Sequence, residues 1–253
     1  MLRTPSSITL SKLDAKLMRA VDLIPYSRRH ASAFTLVELL VVIAIMSILM
    51  AAGAIGLGGL GGKGVTSGVA TVESLFDEAR SIAVGQRTRA RVLVAKDLKN
   101  NPADNLRRIV VAAAELDPNT GLEKSPESWV VASRGVVLPD QTFFSQDYSK
   151  KDQANSTGVL EEMTLSGAKA AYEGDYFYYE FNSEGICTTP GAGFVIGNGS
   201  RGVTKTADKP RVNSSGKSDF GGFVVWRNGR TSVFRSPAQI ASGIDSLNPG
   251  ATF

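Results

Sequence analysis

Two sets of residues in this 253-residue chain are placed where they could do chemistry. The first is one carboxylate, Glu38, at the mouth of an apolar run; residues 39–62 contain no charged side chain. A carboxylate beside such a run is costly to desolvate, which marks it as a functional position by default. Once water is excluded, it can accept charge-assisted hydrogen bonds from a cation. The second set is a basic stretch in a Gly/Ser/Thr-rich setting: Arg201, Lys205, Lys209, Arg211 and Lys217 against Asp208. Those cations could contact DNA phosphates, with a steep dependence on salt; the plainer reading is a solvated loop. Arg87, Arg89 and Arg91 could add to such a patch or simply flank a strand.

Little else offers a reaction. The single histidine, His30, precedes the apolar run, so nothing after residue 33 can build a Ser-His-Asp triad, a Cys-His pair or a His-containing zinc site. Cys187 is the single cysteine, so no intramolecular disulfide can form, and it reads as a small buried strand residue. Gly56-x-Gly58-x-x-Gly61 and Gly197-x-Gly199-x-x-Gly202 match a dinucleotide fingerprint by letter, but neither joins a strand to a helix. Gly62-Lys63-Gly64 lacks the hydroxyl residue of a P-loop, and Glu161-Glu162 read as solvated acids. Residues 236–253 offer only Asp245 as an acidic ligand. The expectation is a chain with no catalytic site, no metal and no cofactor.

The element that must position Glu38 is the apolar run. Residues 33–62 are long enough to cross a hydrocarbon core, which takes about 20 helical residues, and a helix satisfies its own backbone there. Between 53 and 64 stand Gly53, Gly56, Gly58, Gly59, Gly61, Gly62 and Gly64. Each costs roughly 1 kcal/mol in a helix relative to Ala, which predicts a bend or a partly extended stretch. Helical patterning resumes near Val69, with Val72, Leu75, Phe76, Ala79, Ile82 and Ala83 on one face, and ends near Gly85. Short strands are predicted over 91–95, 108–114, 129–132, 136–138, 176–181 and 186–189, with 145–175 as loop and a helical turn. Residues 223–227 and 230–234 flank Asn228-Gly229, the pattern of a hairpin with a type I′ turn.

Charge agrees with an anchored topology. Arg3, Lys12, Lys16, Arg19, Arg28 and Arg29 against Asp14 and Asp22 account for the whole formal charge of +4, and the remainder of the chain is neutral. Positive charge before the span places the N-terminus in the cytoplasm and the bulk outside. It gives no support to a nucleic-acid partner.

Ahead of Glu38 stand Phe34, Thr35, Leu36 and Val37, and ahead of those Ser27-Arg28-Arg29-His30. This pattern resembles the N-terminal signal of type IV prepilins and type II secretion pseudopilins. The resemblance implies a cut between Ala33 and Phe34 by prepilin peptidase, N-methylation of Phe34, and a helix that leaves the bilayer to bundle with its neighbours. In the bundle, Glu38 would take the Phe34 amine of a neighbour as its cation. Ala33 stands where the family usually has Gly; it is the nearest small substitute. The order of the later elements is similar to H-type minor pseudopilins, and the absence of a C-terminal disulfide leans the same way.

The expected fold is therefore α+β and pilin-like, a long N-terminal hydrophobic helix followed by an antiparallel sheet. Residues 1–33 form the leader, starting at Met1 or Met18, and 34–62 the transmembrane and assembly helix. Residues 63–88 form an amphipathic helix on the sheet, and 89–253 a β-rich periplasmic or extracellular domain. The expected role is a minor pseudopilin or pilin-like subunit in the bacterial inner membrane, not an enzyme. Its expected partners are prepilin peptidase, other pilin-like subunits and the membrane. Two alternatives stay open: a DNA-uptake pilin using the basic loop, and a plain anchored protein that keeps its leader or is cut near Ala52 to Ala54.

Overall fold

The computed structural model describes residues 35–58, 60–202, 209–212, 219–240 and 251–253, the side chains of 51–63 excepted. The chain divides after Met50 into two units. Helix α1 spans Leu36–Gly58 and helix α2 spans Leu60–Gln86. The glycine-rich segment is thus helical over 53–58 and 60–64 and not extended there, while residue 59, between the two helices, lies outside the described residues. A helix is the one conformation in which such a segment, with no strand beside it, pairs its own amides, and that outweighs the glycine cost.

Helix α2 exists because its apolar positions recur at helical spacing. Val65, Val69, Val72, Leu75, Phe76, Ala79 and Ala83 are all buried, while Thr66, Ser67, Thr71, Ser74, Asp77 and Glu78 face solvent. It stops in a left-handed turn: Arg87 takes φ 55°, and the Thr88 amide donates to the Ala83 carbonyl at 3.1 Å.

Ten strands follow: β1 Ala90–Leu98, β2 Arg108–Ala114, β3 Trp129–Val137, β4 Thr142–Phe144, β5 Glu162–Leu165, β6 Gly174–Phe181, β7 Ala192–Ser200, β8 Arg211–Val212, β9 Phe220–Val225 and β10 Thr231–Val233. They form two antiparallel sheets, not one. The first has the order β3-β2-β1-β6-β5, and the second β10-β9-β7-β4 with β8 on β7. The α+β class holds: a long apolar helix, then an antiparallel β-rich part packed on a second helix.

Phe76 shows how the layers are joined. Its ring lies 5.0 Å from Tyr179 and 6.2 Å from Phe181 on β6, and 6.0 Å from Phe194 on β7 and 5.0 Å from Phe223 on β9. One side chain of α2 therefore meets rings from both sheets, all at edge-on geometries worth about 0.5–1.5 kcal/mol each beyond burial. A second apolar cluster lies on the far face of the first sheet. Leu93, Val110, Leu165 and Tyr176 form it, with Ala168 and Tyr172 laid over them.

Several strands differ from the reading of the sequence. Residues 129–132 and 136–137 belong to one strand, β3, which passes Gly135 at φ 62° without breaking, and Leu138 lies just beyond it; a Cβ at 135 would come within 1.8 Å of the Ile109 carbonyl oxygen. The stretch 145–175 contains β5 besides its turn, and 186–189 pairs only through a single bridge from Cys187 to Phe181. The hairpin at Asn228-Gly229 is present, with Thr231 opposite Val225. Its turn is not type I′: only Gly229 has positive φ, and its amide donates to the Trp226 carbonyl at 2.8 Å. This is a type I turn closed by a glycine bulge, the other short solution that suits twisted strands.

Candidate functional site

Glu38 is built into the first turn of α1. The Thr35 amide and the Thr35 hydroxyl each donate to Glu38 Oε2 at 3.0 Å, and the Glu38 amide donates to Thr35 Oγ1 at 3.2 Å. That reciprocal arrangement is a capping box, with Thr35 as N-cap and Glu38 as the third helical residue. The carboxylate also sits at the positive end of the helix dipole. Thr-x-x-Glu is visible in the sequence, so the cap adds to the charge of Glu38 a second role that the apolar run alone does not suggest.

From 36 to 50, every described side chain of α1 is exposed. Leu36 is 79% exposed, Ile48 68% and Met50 74%. Burying one such side chain contributes about 1.5–3 kcal/mol, so a wall of them is stable only against lipid or other helices. The one hydroxyl within it, Ser47, donates back to the Ile43 carbonyl at 2.7 Å. Among the described residues, no helix is long and apolar enough to cross a membrane. The described part of this wall, 36–50, is shorter than the about 20 residues a span requires. Ala33 and Phe34, the expected cleavage and methylation positions, lie outside the described residues.

Of the basic stretch, Arg201, Lys209 and Arg211 are described, and two of them have protein partners. Arg201 is turned inward: its guanidinium donates to the carbonyls of Asn105 at 3.0 Å and Ala103 at 2.7 Å and lies 5.1 Å over the Phe143 ring. Burial lowers its pKa without making it neutral. Lys209 Nζ lies 3.7 Å from Asp147, a half-exposed pair of little energetic weight. Arg211 is exposed on β8. Lys205 and Lys217 lie outside the described residues.

Arg89 and Arg91 are committed elsewhere. Arg91 pairs with Glu180 at 2.6 Å and lies 4.0 Å over both Trp129 and Tyr178. Arg89 pairs with Glu123 at 2.6 Å and with Glu127. Its hydrogen bond holds the Glu123 carboxyl below the usual carboxylate range. Arg87 is exposed at the end of α2.

Gly197 and Gly199 serve packing. A Cβ on Gly197 would meet the Phe220 ring at 2.3 Å, and one on Gly199 the Phe253 ring at 2.4 Å, so β7 uses them to admit aromatic side chains. Cys187 is buried as expected, and burial pushes its thiol pKa up. Glu161 is paired with Lys151 and accepts from the Tyr178 hydroxyl, while Glu162 pairs with Lys96 at 2.5 Å. Asp245 lies outside the described residues.

None of the curated proteins matches this chain significantly. One solved structure is similar, the crystal structure of the type IV minor pilin FimU from Pseudomonas aeruginosa, at 16% identity. The match covers 68% of this chain and 94% of that one with a TM-score of 0.29, too loose to carry residues across. The family described as prokaryotic N-terminal methylation motif matches residues 28–54, which include Ala33, Phe34 and Glu38. Residues 28–54 of this chain are therefore a prepilin-type N-terminal methylation motif.

Proposed function

We propose that this chain is a minor subunit of a pilin-like fibre, a type II secretion pseudopilus or a type IV pilus, and not an enzyme. Prepilin peptidase cuts it between Ala33 and Phe34 and methylates the new amine. Before assembly the subunit waits in the bacterial inner membrane as a single-pass protein, its N-terminus cytoplasmic and its β-rich part outside. In the fibre, α1 packs against neighbouring helices, and Glu38 pairs with the Phe34 amine of an adjacent subunit.

The observation that carries this reading is the division of labour in the structure. The β-rich part closes its own core around Phe76, whereas α1 leaves its whole described apolar wall uncovered, with one carboxylate at its start. A buried carboxylate without a cation costs several kcal/mol, so the pair sets the register of the bundle as well as holding it. Among the described basic residues, Arg201, Lys209, Arg89 and Arg91 have protein partners, so the fibre role is preferred to DNA uptake.

Co-production with a prepilin peptidase tests the reading. The chain should shorten by its leader only when the peptidase is active, and Phe34 should become the first residue. A chain that keeps its leader, or is cut near Ala52 by an ordinary signal peptidase, would leave a plain anchored protein in its place.

A further inference from the structure

The first sheet ends in an open edge. Among the described residues β3 pairs with β2 alone, and no strand is paired on its other side. The Glu115 amide donates to the Ser128 carbonyl at 2.8 Å, so in antiparallel alternation the next bonded pair is Ala113 with Val130. The backbone groups of Trp129 and Val131 are thereby turned toward the open side. Beyond Val131 the edge is bulged near Ala132 and again at Gly135, where the register with β2 shifts. Bulges of this kind end pairing, so the usable edge is short.

Beside this edge lies a cavity of about 330 Å³ between β3 and residues 167–172. Trp129, Val131, Ala168 and Tyr172 give it aromatic and apolar walls. The two large rings are held from elsewhere: Arg91 lies 4.0 Å over Trp129, and Arg108 5.7 Å over Tyr172. Both of those arginines are neutralised, by Glu180 and Asp104 respectively. The two other cations at the cavity, Arg134 and Lys169, are exposed and have no carboxylate partner among the described residues. No acidic side chain lines the cavity.

We propose that β3 and this cavity form a docking site for a short, extended, acidic peptide segment of another polypeptide. The segment adds to the edge through the main chain of Trp129 and Val131, as strand addition does elsewhere. One apolar or aromatic side chain enters the cavity, and a carboxylate on the segment lies between Arg134 and Lys169. The assignment is independent of the fibre role and neither needs α1 nor concerns prepilin processing, so its failure would leave the proposed function standing.

Panning the full chain in detergent against random heptapeptides displayed on phage tests the site without presuming a partner. The recovered peptides should be enriched in Glu or Asp beside an aromatic or β-branched residue. A fluorescent copy of one should bind about tenfold or more weakly to Arg134→Glu or Lys169→Glu, both exposed positions that leave folding intact. Val131→Pro removes an edge amide that points outward, a place where an edge strand tolerates proline, and should abolish peptide binding. Phenylacetate, a free aromatic anion, should compete poorly. No enrichment, or enrichment unaffected by either charge reversal, would overturn the proposal. Full competition by phenylacetate with no effect of Val131→Pro would also overturn it, in favour of a small-anion pocket. If Val131→Pro fails to fold, the charge reversals and the phenylacetate competition decide.

Discussion

Glu38→Gln separates the cap that the structure shows for this side chain from the ion pair proposed for it. A glutamine carbonyl can still accept from the Thr35 amide and hydroxyl, which now donate to Oε2 at 3.0 Å, so the capping box survives. Glu38→Ala loses the reciprocal half of the box, while the amide of residue 38 can still donate to Thr35 Oγ1, so its cost to the helix stays below the about 0.5–2 kcal/mol of losing an N-cap residue. Losing the charge costs more where it matters. In the proposed bundle it would strand the neighbour's Phe34 amine in an apolar surrounding, and removing one member of a buried pair costs about 3–5 kcal/mol. That is more than a hundredfold in the equilibrium between membrane and fibre. The assay is the fraction of subunit recovered in sheared fibres against the fraction left in the membrane, with the N-terminus sequenced to confirm cleavage. The prediction is that the Gln and Ala variants are both inserted and cleaved, and both are nearly absent from fibres. If Glu38→Gln assembles like the parent while Glu38→Ala fails, the cap is what assembly needs and the charge-pair argument is wrong.

Phe76→Ala should lower stability by about 3–5 kcal/mol in urea unfolding, because it empties a fully buried ring site shared by both sheets; a loss under 1 kcal/mol would contradict the packing described. Arg201→Gln should cost about 1–3 kcal/mol through the lost bonds to the carbonyls of Asn105 and Ala103, with fibre incorporation unchanged. Were the variant as stable as the parent but unable to retain DNA, Arg201 would be a phosphate ligand after all. The Glu123 and Glu161 carboxyls are held low, first by hydrogen bonds from Arg89 and Lys151 respectively. Their folded-state pKa values lie below the unfolded ones, so their stabilisation is present above the ordinary glutamate pKa of about 4.3 and is lost as pH falls through the depressed values. Thermal midpoints should thus be flat from neutral pH to about 5.5 and fall below about 4.5, and a midpoint that rises on acidification would contradict the pairing.

What was legible in the sequence divides by the range of the interaction that decides it. The buried face of α2 was readable at Val69, Val72, Leu75, Phe76, Ala79 and Ala83 because helical spacing alone sorts it. Strands β1, β2 and β6 were readable as compact apolar or aromatic runs. β7 was not, since its glycines at 193, 197 and 199 lower strand propensity locally. They are needed by Gln153, Phe220 and Phe253, which are far away in the chain. The split into two sheets was equally hidden, as nothing local distinguishes a strand of one sheet from a strand of the other. At the site, the charge of Glu38 and the Thr-x-x-Glu spacing of its cap are both legible, because both are local. The inward turn of Arg201 depends on carbonyls more than 95 residues earlier in the chain, |i−j| being 96 for Asn105 and 98 for Ala103, so no local signal could have shown it.

The central claim is that residues 28–54 are processed and then used for assembly. Its most direct test is the intact mass and N-terminal peptide of the protein recovered from its native membrane and from sheared fibres. The account predicts a chain that begins at N-methylated Phe34 in both fractions. A chain that still carries residues before Phe34, or begins beyond Ala54, would contradict it.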